Sequence, residues 1–224
     1  MRDLAVVLCS GGLDSCVCVA EAALKSDVAL LHVNYGQRTE ARELKAFNDI
    51  ADHYGVAADR RLVSDLGHLA RIGGTSLIDT SMTVETGMPE DDQTVPSTYV
   101  PFRNGNILCI GASWAEVLGA KALYIGAVEE DGSGYPDCRA SFYRAFQHAI
   151  DEGTRPETRM TIETPLIAMN KASIVARGLE LKAPLELTWS CYVNEDRACG
   201  RCESCRLRLR GFEQAGGADP IPYF

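Results

Sequence analysis

Leu4-Ala5-Val6-Val7-Leu8-Cys9, followed at once by Ser10-Gly11-Gly12-Leu13-Asp14-Ser15, is the stretch that decides the fold. The first six residues form a short apolar run, which reads as a strand buried on both faces, as in a parallel sheet. Residues 15–24 read as a helix packed closely on that strand. Between the two, glycines let backbone N–H groups approach an anion, the helix N-terminus favours negative charge, and two serines add hydroxyl donors. Ser10, Gly11, Gly12, Leu13, Asp14 and Ser15 therefore read as a phosphate cradle rather than as a turn capped by Asp14 and Ser15.

No lysine follows the glycines at Walker A spacing. Instead Ser10–Ser15 resembles the SGGxDS signature of the PP-loop ATP pyrophosphatases. That resemblance implies attack on the α-phosphate of ATP and release of AMP and pyrophosphate.

Working outward from the cradle, strand and helix patterns alternate. Strands are expected at 28–33, 60–63, 123–127 and 161–163, and helices at 40–54, 106–118, 142–150 and 171–181. Ile107, Ile110, Trp114, Val117 and Leu118 fall close to helical spacing. Such alternation implies an α/β fold built on a doubly wound parallel sheet, with ligands at the carboxyl ends of the strands. Residues 64–103, with Gly73-Gly74, Met88-Pro89 and Glu90-Asp91-Asp92, are too long for an ordinary connection and read as a mobile segment over the site.

A chain of 224 residues has room for one sizeable α/β domain. Its 46% hydrophobic and 24% charged content is that of a soluble globular protein, and no apolar run approaches a membrane span. Met1-Arg2-Asp3 leads into a strand without a signal pattern, so a cytoplasmic location is expected. The formal charge of -9 argues against a large nucleic-acid surface. The basic cluster between Arg201 and Arg210 reads as a solvated helix face.

Cys191, Cys199, Cys202 and Cys205 give the pattern C-x7-C-x2-C-x2-C. Paired thiolates two residues apart can bond one tetrahedral ion at about 2.3 Å, and four of them leave no position for substrate. The reading is a structural zinc, with an iron–sulfur cluster as the alternative. It divides the chain into an ATP-binding α/β domain, 1–188, and a small helical metal-binding tail, 189–224. Cys9, Cys16, Cys18, Cys109 and Cys138 are scattered, and most read as small core residues.

Four further stretches narrow the resemblance: Val33-Asn34-Tyr35-Gly36-Gln37-Arg38, Thr98-Tyr99-Val100-Pro101-Phe102-Arg103-Asn104, Ser133-Gly134-Tyr135-Pro136-Asp137-Cys138-Arg139, and Leu187-Thr188-Trp189-Ser190-Cys191-Tyr192. With the cysteine motif, they resemble the 7-cyano-7-deazaguanine synthases, ligases of queuosine biosynthesis. The resemblance implies conversion of 7-carboxy-7-deazaguanine and ammonia to the nitrile with ATP and Mg2+, in a homodimer. On this reading Asp14 contacts magnesium, Arg103 pairs with phosphate or carboxylate, and Lys171 reaches ATP. Tyr135 stacks on the base, Asp137 accepts from its N–H edge, and Arg139 joins them at the substrate. Phe102 stands where the resemblance expects a small residue. The open alternatives are a ligase of the same scaffold acting on another carboxylate, a PP-loop tRNA-modifying enzyme such as a sulfur transferase, and a nucleotide-binding module without catalysis.

Overall fold

The computed structural model describes residues 2–84, 95–129 and 134–224. Five strands, β1 (Leu4–Leu8), β2 (Asp27–Asn34), β3 (Arg61–Asp65), β4 (Ala122–Ile125) and β5 (Thr161–Glu163), form one sheet in the order β3-β2-β1-β4-β5. Every pairing is parallel. The alternation of side chains places Ala5 and Val7 on one face and Val6 and Leu8 on the other, and both faces are covered. This is why β1 is apolar throughout instead of alternating.

On the Val7 face lie α1 (Leu13–Lys25), α2 (Glu40–His53) and α6 (Lys171–Glu180); on the Val6 face lie α4 (Arg103–Leu118) and α5 (Ala140–Gly153). The chain runs outward on both sides of β1, so the sheet reverses its order there. The crevice beyond the carboxyl ends of β1 and its neighbours is the switch point at which doubly wound sheets bind ligands.

Helix α4 begins three residues earlier than the periodicity predicts. The N–H of Asn104 donates to Asp137 Oδ2 at 2.9 Å, a cap supplied from 33 residues away. A window of sequence around residue 104 contains no trace of it. Phe102, just before the helix, has a left-handed backbone at φ 54. Glycine adopts that conformation without the strain that a Cβ brings.

The described part of the 64–103 stretch packs onto the domain. It holds the short helix α3 (His68–Ile72), and Leu66, Leu69, Leu77 and Val100 are buried. Arg38 fastens it, with Nε donating to Ser76 O at 2.9 Å and Nη2 to Asp79 O and Met82 O at 2.8 and 2.6 Å. Met88-Pro89 and Glu90-Asp91-Asp92 lie outside the described residues.

After a 3-10 turn at Leu185–Leu187, the chain passes through the cysteines into α7 (Glu203–Gln214). Here Trp189, Cys191, Cys202, Cys205 and Ile221 form a small core with Ala46 of α2. Helix α7 lies against α6; a Cβ on Gly211 would come within 2.6 Å of Lys171 Cγ, so glycine sets how near the two helices approach. Cys9, Cys16 and Cys18 are core residues as expected, whereas Cys109 is exposed.

Candidate active site and metal centre

The phosphate loop holds itself by local bonds. Ser15 Oγ donates to Gly12 O at 3.0 Å, and Ser10 Oγ lies 3.2 Å from Ser15 Oγ and accepts from Gly12 N–H at 3.2 Å. Gly11 has φ +87, and a Cβ there would fall 2.5 Å from Glu43 O, so both conformation and space require glycine. Helix α1 starts at Leu13 with Gly12 as its N-cap, and no side chain caps it. Its first N–H groups and its positive dipole end are thus the loop's principal means of holding an anion.

Lys171 and Arg103 are two of the four cations, with Arg38 and Arg208, that line the same cleft, whose volume is about 300 Å3. Lys171, the first residue of α6, grips Asp14 with Nζ at 2.9 and 2.8 Å from the two carboxylate oxygens. Arg103 opens α4, donating from Nη1 to Tyr35 Oη at 3.2 Å with its guanidinium 5.6 Å above the Tyr35 ring. The structure therefore brings Asp14, Lys171 and Arg103 to one space, from positions 157 residues apart in the case of the ion pair.

Tyr135 also lines the cleft. Its hydroxyl is 2.7 Å from Thr98 Oγ1, and burial pushes its pKa up to about 12, so it is a neutral phenol. Asp137 and Arg139 sit elsewhere. Asp137 is buried, its Oδ2 accepting from the Asn104 N–H, and Arg139 is exposed; neither is among the lining residues. Burial raises the Asp137 pKa.

Besides Asp14 and Glu203, the carboxylate that lines the cleft is Glu43, which the sequence reading passed over. Its oxygens accept from Thr39 Oγ1 at 2.8 Å and from Gln37 Nε2 at 3.2 Å, and burial raises its pKa. Gln37 belonged to a quoted motif, whereas Glu43 lies outside every motif quoted. Trp189, Tyr192 and Arg208 were missed as lining residues because only the fold brings the tail onto the loop. Two cysteines line the cleft, Cys9 and Cys138. Burial pushes both thiols up to about 11, which keeps them protonated and poorly nucleophilic.

The four sulfurs of Cys191, Cys199, Cys202 and Cys205 lie within 4.8 Å of one another. Cys199 and Cys205 are 3.9 Å apart, close to the edge of about 3.8 Å that tetrahedral thiolates at about 2.3 Å from a metal define. Backbone N–H groups converge on the set: those of Val193, Asn194 and Cys199 reach Cys191 Sγ, and those of Arg201 and Cys202 reach Cys199 Sγ, at 3.3 to 3.4 Å. Donors of this kind stabilise thiolate charge. Hydrogen bonds from the Cys202 and Cys205 thiols also pull the Cys191 pKa far down. The donor set fits a closed structural metal site.

A family model described as "Queuosine biosynthesis protein QueC" matches residues 4–216. A relative from Chloroherpeton thalassium, named 7-cyano-7-deazaguanine synthase, is 54% identical over 98% of this chain and 96% of its own length. A relative of the same name from Chlorobium luteolum is 56% identical over 98% and 96% of the two chains. Among solved structures, a 4-thiouridine synthetase in complex with RNA and bound ATP superposes at a TM-score of 0.50 with 16% identity, covering 99% of this chain and 47% of that one. That last likeness concerns the fold alone. Matched by that family model over residues 4–216 and more than half identical to these relatives along nearly its whole length, the chain belongs to the QueC family of queuosine biosynthesis proteins.

Proposed function

We propose that the chain is an ATP-dependent ligase that converts 7-carboxy-7-deazaguanine and ammonia to 7-cyano-7-deazaguanine. The observation that carries this reading is the cleft in which the uncapped start of α1, Lys171 and Arg103 face one space. Relatives more than half identical along nearly the whole chain bear the name of that synthase.

A carboxylate is a poor acyl donor, so its oxygen attacks the α-phosphorus of ATP and pyrophosphate leaves. Ammonia then displaces AMP from the acyl adenylate, giving the amide. A second attack, by the amide oxygen, releases another pyrophosphate; loss of both protons from nitrogen and of AMP from carbon leaves the nitrile. In both rounds Ser10, Gly11, Gly12, Leu13 and Ser15 would hold the phosphates through N–H and hydroxyl donors. Arg103 would pair with phosphate or carboxylate, and Lys171 would turn from Asp14 to phosphate. Asp14, so released, is the residue to hold Mg2+, which when bound supplies charge neutralisation. Tyr135 would stack on the base, while Asp137 would serve it indirectly by fixing Asn104 and hence Arg103; Arg139 would lie at the outer approach. Cys191, Cys199, Cys202 and Cys205 would hold one structural zinc. The chain would work in the cytoplasm as a homodimer on small molecules, as the resemblance implies.

A sulfur transferase on the same fold needs a reactive thiolate near the loop, and the buried thiols of Cys9 and Cys138 count against it. The test is incubation with ATP, Mg2+, ammonium and 7-carboxy-7-deazaguanine, following nucleotide and substrate mass. AMP with conversion to amide and nitrile is expected. ADP formation, or AMP formation indifferent to the deazaguanine, would overturn the reading, as would full activity of Asp14→Asn.

A further inference from the structure

Beyond the ligands of the loop and of the metal stands one buried cation with neither role. Arg208 of α7 is 1% exposed, yet it borders the cleft. We infer that Arg208 is a positioning residue that sets the phosphate loop from the C-terminal tail. This inference rests on the nucleotide reading of the cleft.

A guanidinium has five N–H donors in a fixed fork. All five are spent within the tail and the turn before it. Nε donates to Asp219 Oδ2 at 2.7 Å and Nη2 to Asp219 Oδ1 at 2.9 Å, a bidentate pair. The second Nη2 hydrogen goes to Leu185 O at 3.2 Å. Nη1 donates to Thr188 Oγ1 at 2.6 Å and to Ser190 Oγ at 3.3 Å. No donor remains for a bound nucleotide, so Arg208 acts through what it holds.

What it holds are the two neighbours of Trp189. The N–H of Trp189 donates to Gly11 O at 2.8 Å, the carbonyl of the left-handed glycine in the phosphate loop. On the far side, Tyr223 Oη donates to Asp219 Oδ2 at 2.6 Å, tying in the end of the chain. Cys205 lies three residues before Arg208 on the same helix, and Cys191 lies two residues after Trp189. The metal knuckle thus fixes the helix and one end of the segment, while Arg208 fixes its middle against the loop.

A buried ion pair adds little net stability over apolar residues of similar volume, whereas one partner left alone is costly. That asymmetry supplies the test. Metal content, melting temperature and the affinity for α,β-methylene ATP with Mg2+, by calorimetry, are measured for Arg208→Met, for Arg208→Met/Asp219→Leu and for Arg208→Lys. Arg208→Met should lose melting temperature because Asp219 is left unpaired. The double variant should regain most of it and keep its metal, yet bind the analogue about tenfold or more weakly, because no fork holds residues 188 and 190. Arg208→Lys keeps charge without the fork and should also bind weakly. Thr188→Val, outside the cleft lining and the ion pair, guards against misfolding of the others and should show a smaller loss of the same kind. Recovery of analogue affinity together with melting temperature in the double variant would reduce Arg208 to a stability element. Failure of the wild-type chain to bind the analogue would instead strike the nucleotide reading itself.

Discussion

The phosphate loop and the four-cysteine tail meet at the Trp189–Gly11 hydrogen bond, but different physics holds each in shape. The loop is specified by its backbone: a left-handed glycine set against α2, serine hydroxyls bonded within the loop, and the start of a helix. The tail has a small core of its own, gathered round four sulfurs that repel one another as thiolates unless a cation lies among them. A site that must accept and release a charged ligand in each round is thus built from groups that are already rigid. The part that supports it is gathered round four cysteines that could hold a metal.

Breaking the tail should therefore have the larger effect. Apparent binding energies of structural zinc in small domains are on the order of 10 kcal/mol or more, and that energy is folding energy. Cys202→Ser, or removal of metal by a chelator, should abolish metal binding measured by elemental mass spectrometry, lower the melting temperature sharply and eliminate AMP formation. A metal-free chain that melts like the native one would erase the contrast.

Breaking the loop should give the opposite profile. Gly11→Ala puts a side chain where left-handed backbone costs about 1–2 kcal/mol. Its Cβ also meets Glu43 O at 2.5 Å, so the loop or α2 must shift. Misplacement of a reacting group by about 1 Å can cost about a hundredfold in rate. We expect AMP formation to fall by about that factor, a modest drop in melting temperature, and one metal per chain as before. Loss of metal in this variant would show that the two regions are not separable.

The same contrast explains what the sequence could disclose. The loop is contiguous, so strand, glycines, hydroxyls and helix are legible in twelve residues. The cysteine set is nearly so, because spacing alone brings Cys199, Cys202 and Cys205 together. Long-range contacts left no such mark. Asp137 sits in a motif suggestive of substrate contact, but its carboxylate is turned to Asn104, a choice made by packing between the turn at Pro136–Cys138 and α4. Arg208 read as part of a solvated basic face because its neighbours Arg206 and Arg210 are exposed; only the position of Asp219 distinguishes it. The packing of residues 66–84 was equally hidden, since three of the bonds that hold it are accepted by backbone carbonyls, which any sequence has.

The smallest effect concerns Glu43, which stands between the two regions: its backbone carbonyl limits Gly11, and Thr39 Oγ1 lies both 2.8 Å from its carboxylate and 3.2 Å from Cys191 O. Burial raises its pKa above 4.5, opposed by the bonds from Thr39 and Gln37. Above pH 4.5 the folded chain thus keeps a proton that the unfolded chain has lost, until pH passes the raised folded value. Within that window stability falls as pH rises, and beyond it the loss is constant. Gln at this position has no proton to lose. The melting temperature of Glu43→Gln relative to wild type should therefore shift in the variant's favour as pH rises from 4.5 and then level off. A difference independent of pH would mean that the carboxylate is as well solvated as in the unfolded chain. Glu43 would then be a surface group of α2 and not part of the wall that joins the loop to the tail.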